Sequence, residues 1–206
     1  IADGDYSIQP TGWKERVFDD FEDYQKKLSE ILGVKTFVNL KTGPSRLKQL
    51  YVLRHKVASC YKKDTWLTDP IFVSLKDTIL KHGIHKDDLN ALIDGMEDDL
   101  FISKYNNLLE LEQYCARVAS ATGLMCIDIY QSSNLQLARS HGYSLGQYMQ
   151  MINILRDVKE DASIGRVYIP EDLLQKYKIN PSSFNGNGPE KDKWADFVKE
   201  WARRCN

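Results

Sequence analysis

LGQYMQMINILRDVKEDASIGRVYIP, residues 145–170, is the stretch on which both fold and chemistry turn. Its first half reads as a helix, with about 100° of rotation per residue. With Gln150 set at zero, Asn153 falls at roughly −60°, Asp157 at roughly −20° and Asp161 at roughly +20°. Two amides and two carboxylates therefore share one line. Leu145, Tyr148, Ile152 and Leu155 form an apolar back on the other side. A solvated helix face would account for a polar stripe on its own. Three features argue for a ligand instead. The helix carries few Lys or Glu before Lys159. Gln150 and Asn153 are unusual choices for a face that is only wetted. Asp157 and Asp161 repel one another one turn apart, near a helix end whose dipole disfavours anions. A cation at the site would relieve both penalties. Two carboxylates leave room in a Mg²⁺ shell for waters and phosphate oxygens. The stripe points to Mg²⁺ bridging to a diphosphate, with Mn²⁺ as a chemical equivalent. Gln150 and Asn153 would complete the water shell or bind phosphate oxygen.

Outward from this stretch the periodicity is helical almost throughout. Val17, Phe18, Phe21, Tyr24, Leu28 and Ile31 recur at three and four, predicting a helix over 13–31 that Gly33 stops. KTGPS at 41–45 reads as a loop, and a second helix is expected from Arg46 to Cys60. Asp69-Pro70 opens a third, which ends at Gly83. A fourth covers about 86–100, a fifth about 108–130 and a sixth, the longest, about 132–161. Gly165 to Pro170 is irregular, Glu171 to Tyr177 is a short helix, and an amphipathic helix spans about 194–204. VKTFVNL at 34–40 is the one strand candidate, and it has no partner.

Composition sets the class. The 206 residues suffice for one large domain or two small ones, and at 42% hydrophobic and 28% charged they have the balance of a globular protein rather than a disordered one. A net charge of −1 gives no field that attracts nucleic acid. No apolar run approaches the ~20 residues of a membrane span. No glycine-rich phosphate loop or dinucleotide fingerprint occurs, which argues against a nucleotide-binding α/β fold. Cys60, Cys115, Cys126 and Cys205 match no zinc or redox spacing and read as free thiols of a reducing compartment, so a cytoplasmic location is expected. His55, His82, His85 and His141 share no ligand spacing.

Gly146, Gln150, Asn153, Arg156, Asp157, Asp161, Gly165, Arg166, Tyr168 and Pro170 together resemble the second aspartate-rich signature of the squalene/phytoene synthase family. Tyr114-Cys115-Ala116-Arg117-Val118-Ala119 with Gly123-Leu124 resembles the family's Y-C-x-x-V-A-x-x-x-G helix. Ile93 to Leu100, leading to Lys104-Tyr105, is similar to its connecting element. The family's first motif has the form D-D-x-x-D. Read as the tail of that motif, Asp3 is its last aspartate, with the others before residue 1. The same comparison implies an incomplete chain, lacking N- and C-terminal helices.

The resemblance implies a single all-α isoprenoid synthase bundle over 1–206 around a central cavity. It implies Asp157, Asp161, Asn153 and Asp3 as the metal set, and Tyr114 as the phenol beside a carbocation. Arg156, Arg166 and Lys104 would neutralise the diphosphate, with Tyr168 in the same signature. Val118, Ala119 and Gly123 would line the prenyl tunnel. The implied activity joins two allylic diphosphates head to head through a cyclopropylcarbinyl diphosphate. Glu160 to Arg166 and Ile93 to Met96 look most like the presqualene-forming branch, which favours farnesyl diphosphate. The Tyr114 block is equally similar to phytoene synthases, which use geranylgeranyl diphosphate. A reductive step would add NADPH. So apolar a product implies peripheral membrane contact for its release. Glu97-Asp98-Asp99 reads equally as solvated charge or as functional. A non-catalytic assembly factor of the same superfamily is the alternative from another class.

Overall fold

A computed structural model describes residues 43–204, together with Glu22, Asp23 and Lys26, which are helical. Asp3, the strand candidate at 34–40 and most of the helix expected at 13–31 lie outside the described residues. The described chain folds as nine α-helices: α1 (Gly43–Cys60), α2 (Pro70–His82), α3 (Lys86–Phe101), α4 (Leu108–Cys115), α5 (Ala121–Tyr130), α6 (Leu135–Arg156), α7 (Val158–Ser163), α8 (Glu171–Lys176) and α9 (Lys191–Arg204). A π-helical turn, Ala116–Ser120, joins α4 to α5. A 3₁₀ turn, Pro181–Asn185, precedes α9. The only β pairing among the described residues is a single parallel bridge between Lys104 and Val167.

The punctuation residues act as their chemistry dictates. The Asp69 side chain accepts from the Ile71 N–H, Pro70 sits in the first turn, and Gly83 closes α2 in the left-handed conformation at φ 68°. α1 begins earlier than expected, at Gly43, because Pro44 fits a first helical turn, where its missing N–H has no helical partner to lose. The fifth expected helix is interrupted by the π turn. The sixth breaks at Asp157 (φ −99°, ψ 10°). The hydrogen-bond ladder nevertheless passes through the break: Asp157 N–H donates to Asn153 C=O at 2.8 Å, and Asp161 N–H to Asp157 C=O at 2.9 Å.

Glycines set how closely the central helices approach. A Cβ on Gly146 would lie 2.6 Å from Ser120 Cα and 2.7 Å from Ser120 N. One on Gly123 would meet the Gly142 carbonyl at 3.0 Å, and one on Gly95 would meet Val118 Cγ1 at 2.5 Å. α6 therefore lies backbone to backbone on the π turn and α5, and α3 lies on the π turn. From the other side Trp201 of α9, 1% exposed, donates its indole N–H to the Met151 carbonyl at 3.1 Å. These contacts decide which side of α6 faces inward. Gly142, Gly146, Met151 and Ile154 are buried, whereas Leu145 and Ile152 of the apolar back are 58% and 56% exposed. The polar stripe shares the inward side of the helix with Gly146 and Ile154.

Gly146→Ala is expected to destabilise the protein by about 1–3 kcal/mol, because its obstacle is backbone. Gly95→Ala meets a side chain instead, so Val118→Ala should restore most of the loss. Thermal melts of the three variants check both statements; a Gly146→Ala melt equal to wild type would show that the contact is not tight.

Candidate active site

The four stripe residues are all half-buried. Asn153 Nδ2 points at Gln150 Oε1 from 3.5 Å. Asp157 is clasped by its neighbour: Arg156 donates from Nε and Nη2 to the two carboxylate oxygens, both at 2.6 Å. That hydrogen bonding holds Asp157 below the usual carboxylate range. Asp161 is shifted the other way, upward, first by burial and then by the charge of Asp157, with Arg166 opposing. The pair is thus unequal, one carboxylate matched by a local cation and the other still pressed by its neighbour.

After α7 the chain turns at Gly165, φ 83°. It then runs beside the segment that follows α3. Val167 N–H donates to Ser103 C=O at 2.9 Å, and Glu171 N–H to Tyr105 C=O at 2.9 Å. This alignment brings Arg166 and Tyr168 to the end of α3 and to Tyr114 of α4. The Tyr114 hydroxyl donates to Asp99 Oδ1 at 2.9 Å, and the Tyr168 hydroxyl reaches the same oxygen at 3.2 Å. Arg166 donates to Tyr168 Oη at 3.0 Å and to the Asp99 carbonyl at 2.7 Å. The rings of Tyr114 and Tyr168 stack at 5.3 Å, and Tyr105 lies 5.4 Å and 5.9 Å from them. Burial first, and then the charge of Asp99, hold the Tyr114 phenol far above its ordinary value, so it stays protonated.

Of the remaining expected site residues, Lys104 is exposed on the strip that pairs with Val167. Arg156 is exposed beside Asp157. Val118, Ala119 and Gly123 sit where the helices meet, against Gly95, Gly146 and Gly142 respectively. A groove of about 460 Å³ between α5 and α6 is lined by Ile127, Gly142, Leu145 and Tyr148 among others; no expected site residue lines it. Asp3 lies outside the described residues.

Sequence reasoning missed the role of Glu97, Asp98 and Asp99. Solvation does not describe the first two, which are 0% and 1% exposed. Arg54 reaches Asp94 and Glu97, Arg117 pairs with Asp98, and Arg166 lies 3.5 Å from Asp99. These partners stand 19 to 67 residues away, so no local pattern announces them.

Among the described residues no group of three His, Cys, Asp or Glu side chains is placed to hold a metal ion. Asp157, Asp161 and the Asn153 amide are hard oxygen donors of the kind Mg²⁺ takes, and Asp161 sits in a negative field that a cation would relieve. In donor chemistry and field they fit the ion, as a partial shell.

The family model described as squalene/phytoene synthase matches residues 15–206. The chain belongs to that family. It is 36% identical over 142 residues to a chloroplastic phytoene synthase of an Oncidium hybrid cultivar, covering 66% of this chain and 34% of that protein. It is 33% identical over 138 residues to presqualene diphosphate synthase of Rhodopseudomonas palustris, covering 65% and 47%. The chain thus spans about a third to a half of the curated relatives it matches. The fold is similar to a squalene synthase from Alicyclobacillus acidocaldarius (TM-score 0.67, 18% identity, covering 78% of this chain and 59% of that one). It is also similar to a dehydrosqualene synthase solved with a ligand (TM-score 0.64, 18% identity, covering 90% and 75%). The bundle is the all-α isoprenoid synthase fold of these squalene/phytoene synthase relatives.

Proposed function

We propose that this squalene/phytoene synthase family member is part of a prenyltransferase that joins two farnesyl diphosphates head to head, giving a presqualene-type cyclopropylcarbinyl diphosphate. The observation that carries this reading is the inward, half-buried stripe of Gln150, Asn153, Asp157 and Asp161, continuous through the Gly165 turn with Arg166, Tyr168 and Tyr114. Asp157, Asp161 and Asn153 would hold Mg²⁺, with Asp3 as a further ligand; the ion supplies charge neutralisation for a departing diphosphate. Gln150, whose Oε1 lies 3.5 Å from Asn153 Nδ2, would complete the water shell or bind phosphate oxygen. Arg156 and Lys104 are exposed cations at this end of the bundle, suited to phosphate oxygens. Tyr114, protonated and buried, offers a ring face and oxygen lone pairs to a carbocation without adding a competing charge. Breakage of the allylic C–O bond releases diphosphate and leaves the cation. The double bond of the second chain supplies the electron pair for the first new C–C bond, which moves the positive charge onto that chain. Loss of a proton, for which the released diphosphate is a base, then supplies the pair that closes the three-membered ring.

The presqualene reading follows from the 93–96 and 160–166 segments. A second reading, phytoene synthesis from geranylgeranyl diphosphate, is favoured by the Oncidium relative, whose identity is no lower than that of the presqualene enzyme. Incubation of the full-length protein with either diphosphate and Mg²⁺, with and without NADPH, followed by mass analysis of products, tests both. Presqualene diphosphate, or squalene when NADPH is present, is expected from the C15 substrate. Product from the C20 substrate alone would move the assignment to phytoene. No product from either would leave the non-catalytic role. No helix among the described residues is long and apolar enough to cross a membrane. Release of so apolar a product would call for peripheral membrane contact.

A further inference from the structure

We infer that Asp99 is a positioning residue for the condensation proposed above, on which this inference rests: its carboxylate fixes the direction in which the Tyr114 hydroxyl points.

A phenol has one O–H donor, which rotates, and lone pairs that accept. A hydroxyl hydrogen turned toward a carbocation repels it, whereas lone pairs and a ring face attract it. The catalytic value of Tyr114 therefore depends on where its single proton is kept. Two acceptors are within reach, Asp99 Oδ1 at 2.9 Å and Tyr168 Oη at 3.4 Å. The nearer one carries negative charge, and charge-assisted bonds are roughly twice as strong as neutral ones. The proton goes to Asp99. Tyr168 is ordered in the same sense: its oxygen accepts from Arg166 at 3.0 Å and its proton turns to Asp99 at 3.2 Å. Arg166 also holds the Asp99 carbonyl at 2.7 Å, which ties the carboxylate's own backbone to the turn after α7. The chain of donors runs from Arg166 through Tyr168 to Asp99, with Tyr114 entering from the other side. Tyr114 and Tyr168 are only 4% and 8% exposed, so no bulk water competes for these protons. Arg166 is in this way engaged with both Asp99 and Tyr168.

A double-mutant cycle tests the assignment. Asp99→Asn, Tyr114→Phe and the double variant are assayed for kcat and KM on whichever prenyl diphosphate the wild type converts, with thermal melts alongside. Asp99→Asn is expected to lower kcat about tenfold or more while KM moves less than about twofold. In the Tyr114→Phe background it should add nothing, because the group it positions is gone. Independent, multiplicative losses would overturn the inference, as would wild-type kcat in Asp99→Asn. If Asp99→Asn loses its helical circular dichroism, Asp99→Glu keeps the charge but displaces it, and the same cycle is read. An active wild type with a multiplicative cycle rejects Asp99 alone. A wild type inactive on both substrates rejects the functional reading itself.

Discussion

Asp161→Ala is expected to lower turnover by at least about a hundredfold without weakening the fold, the scale of losing one group that stabilises charge in a transition state. Asp161 is pressed by burial and by Asp157, and two like charges one turn apart cost a few tenths of a kcal/mol. Removing one relieves that repulsion. Stability at neutral pH should therefore be unchanged or slightly higher while activity collapses. A residue kept only for packing would do the opposite. Asp157→Ala should lose activity similarly. It also frees Arg156, an exposed partner, and such pairs contribute about 0–1 kcal/mol, so its melt should barely move. Parallel turnover assays and melts check both variants. Full activity in both would remove the aspartates from the mechanism.

What the sequence made legible divides by distance along the chain. Asp69, Pro70 and Gly83 mark the ends of α2 because caps are satisfied within a few residues. The Gln150-to-Asp161 stripe was readable for the same reason, since one helix carries it and its ladder survives the break at Asp157. The direction it faces was not readable. The apolar back marks Leu145 and Ile152 as one side of α6 without saying where that side points; the position of α6 is decided by Gly142 and Gly146 pressing on Ser120, Gly123 and Ile127. Glycines carry no hydropathy signal, so periodicity passed over them. The π turn at Ala116–Ser120 was equally silent, because one extra residue in a turn leaves the three-and-four pattern nearly intact. The motif match did bring Tyr114, Arg166 and Tyr168 into view. Asp99, which joins them, lies in an acidic helix end that reads equally as solvated charge or as functional. Its role depends on Tyr168 and Arg166, 69 and 67 residues later.

Arg54→Ala should be the most destabilising single change, at about 3–5 kcal/mol, the range for removing one partner of a buried ion pair. Its guanidinium, 8% exposed, donates from Nη2 to Asp94 Oδ1 at 2.6 Å and to Glu97 Oε1 at 2.9 Å. Those bonds tie α1 to α3. Truncation leaves the Asp94 carboxylate and the Glu97 carboxyl in a dry interior without this donor, and the desolvation penalty falls first on the charged Asp94. The same cluster predicts a pH dependence. Burial first, then the charge of Asp98, push the Glu97 carboxyl from 4.5 up to about 9, with Arg117 opposing. The folded protein therefore holds a proton on Glu97 that the unfolded chain releases above its ordinary carboxylate range. Stability from this group is fully present below about pH 4.5 and is lost as pH rises toward about 9. The slope is at most about 1.4 kcal/mol per pH unit. Glu97→Gln has the shape of the protonated acid and nothing to release. It should match the wild type near the acid end of the range, remove this part of the slope, and be the more stable protein at pH 9. Urea unfolding from about pH 4 to pH 9 on both proteins measures the difference. Equal slopes would mean that Glu97 is ionised throughout, and that Arg54 holds two full charges rather than one charge and one neutral acid.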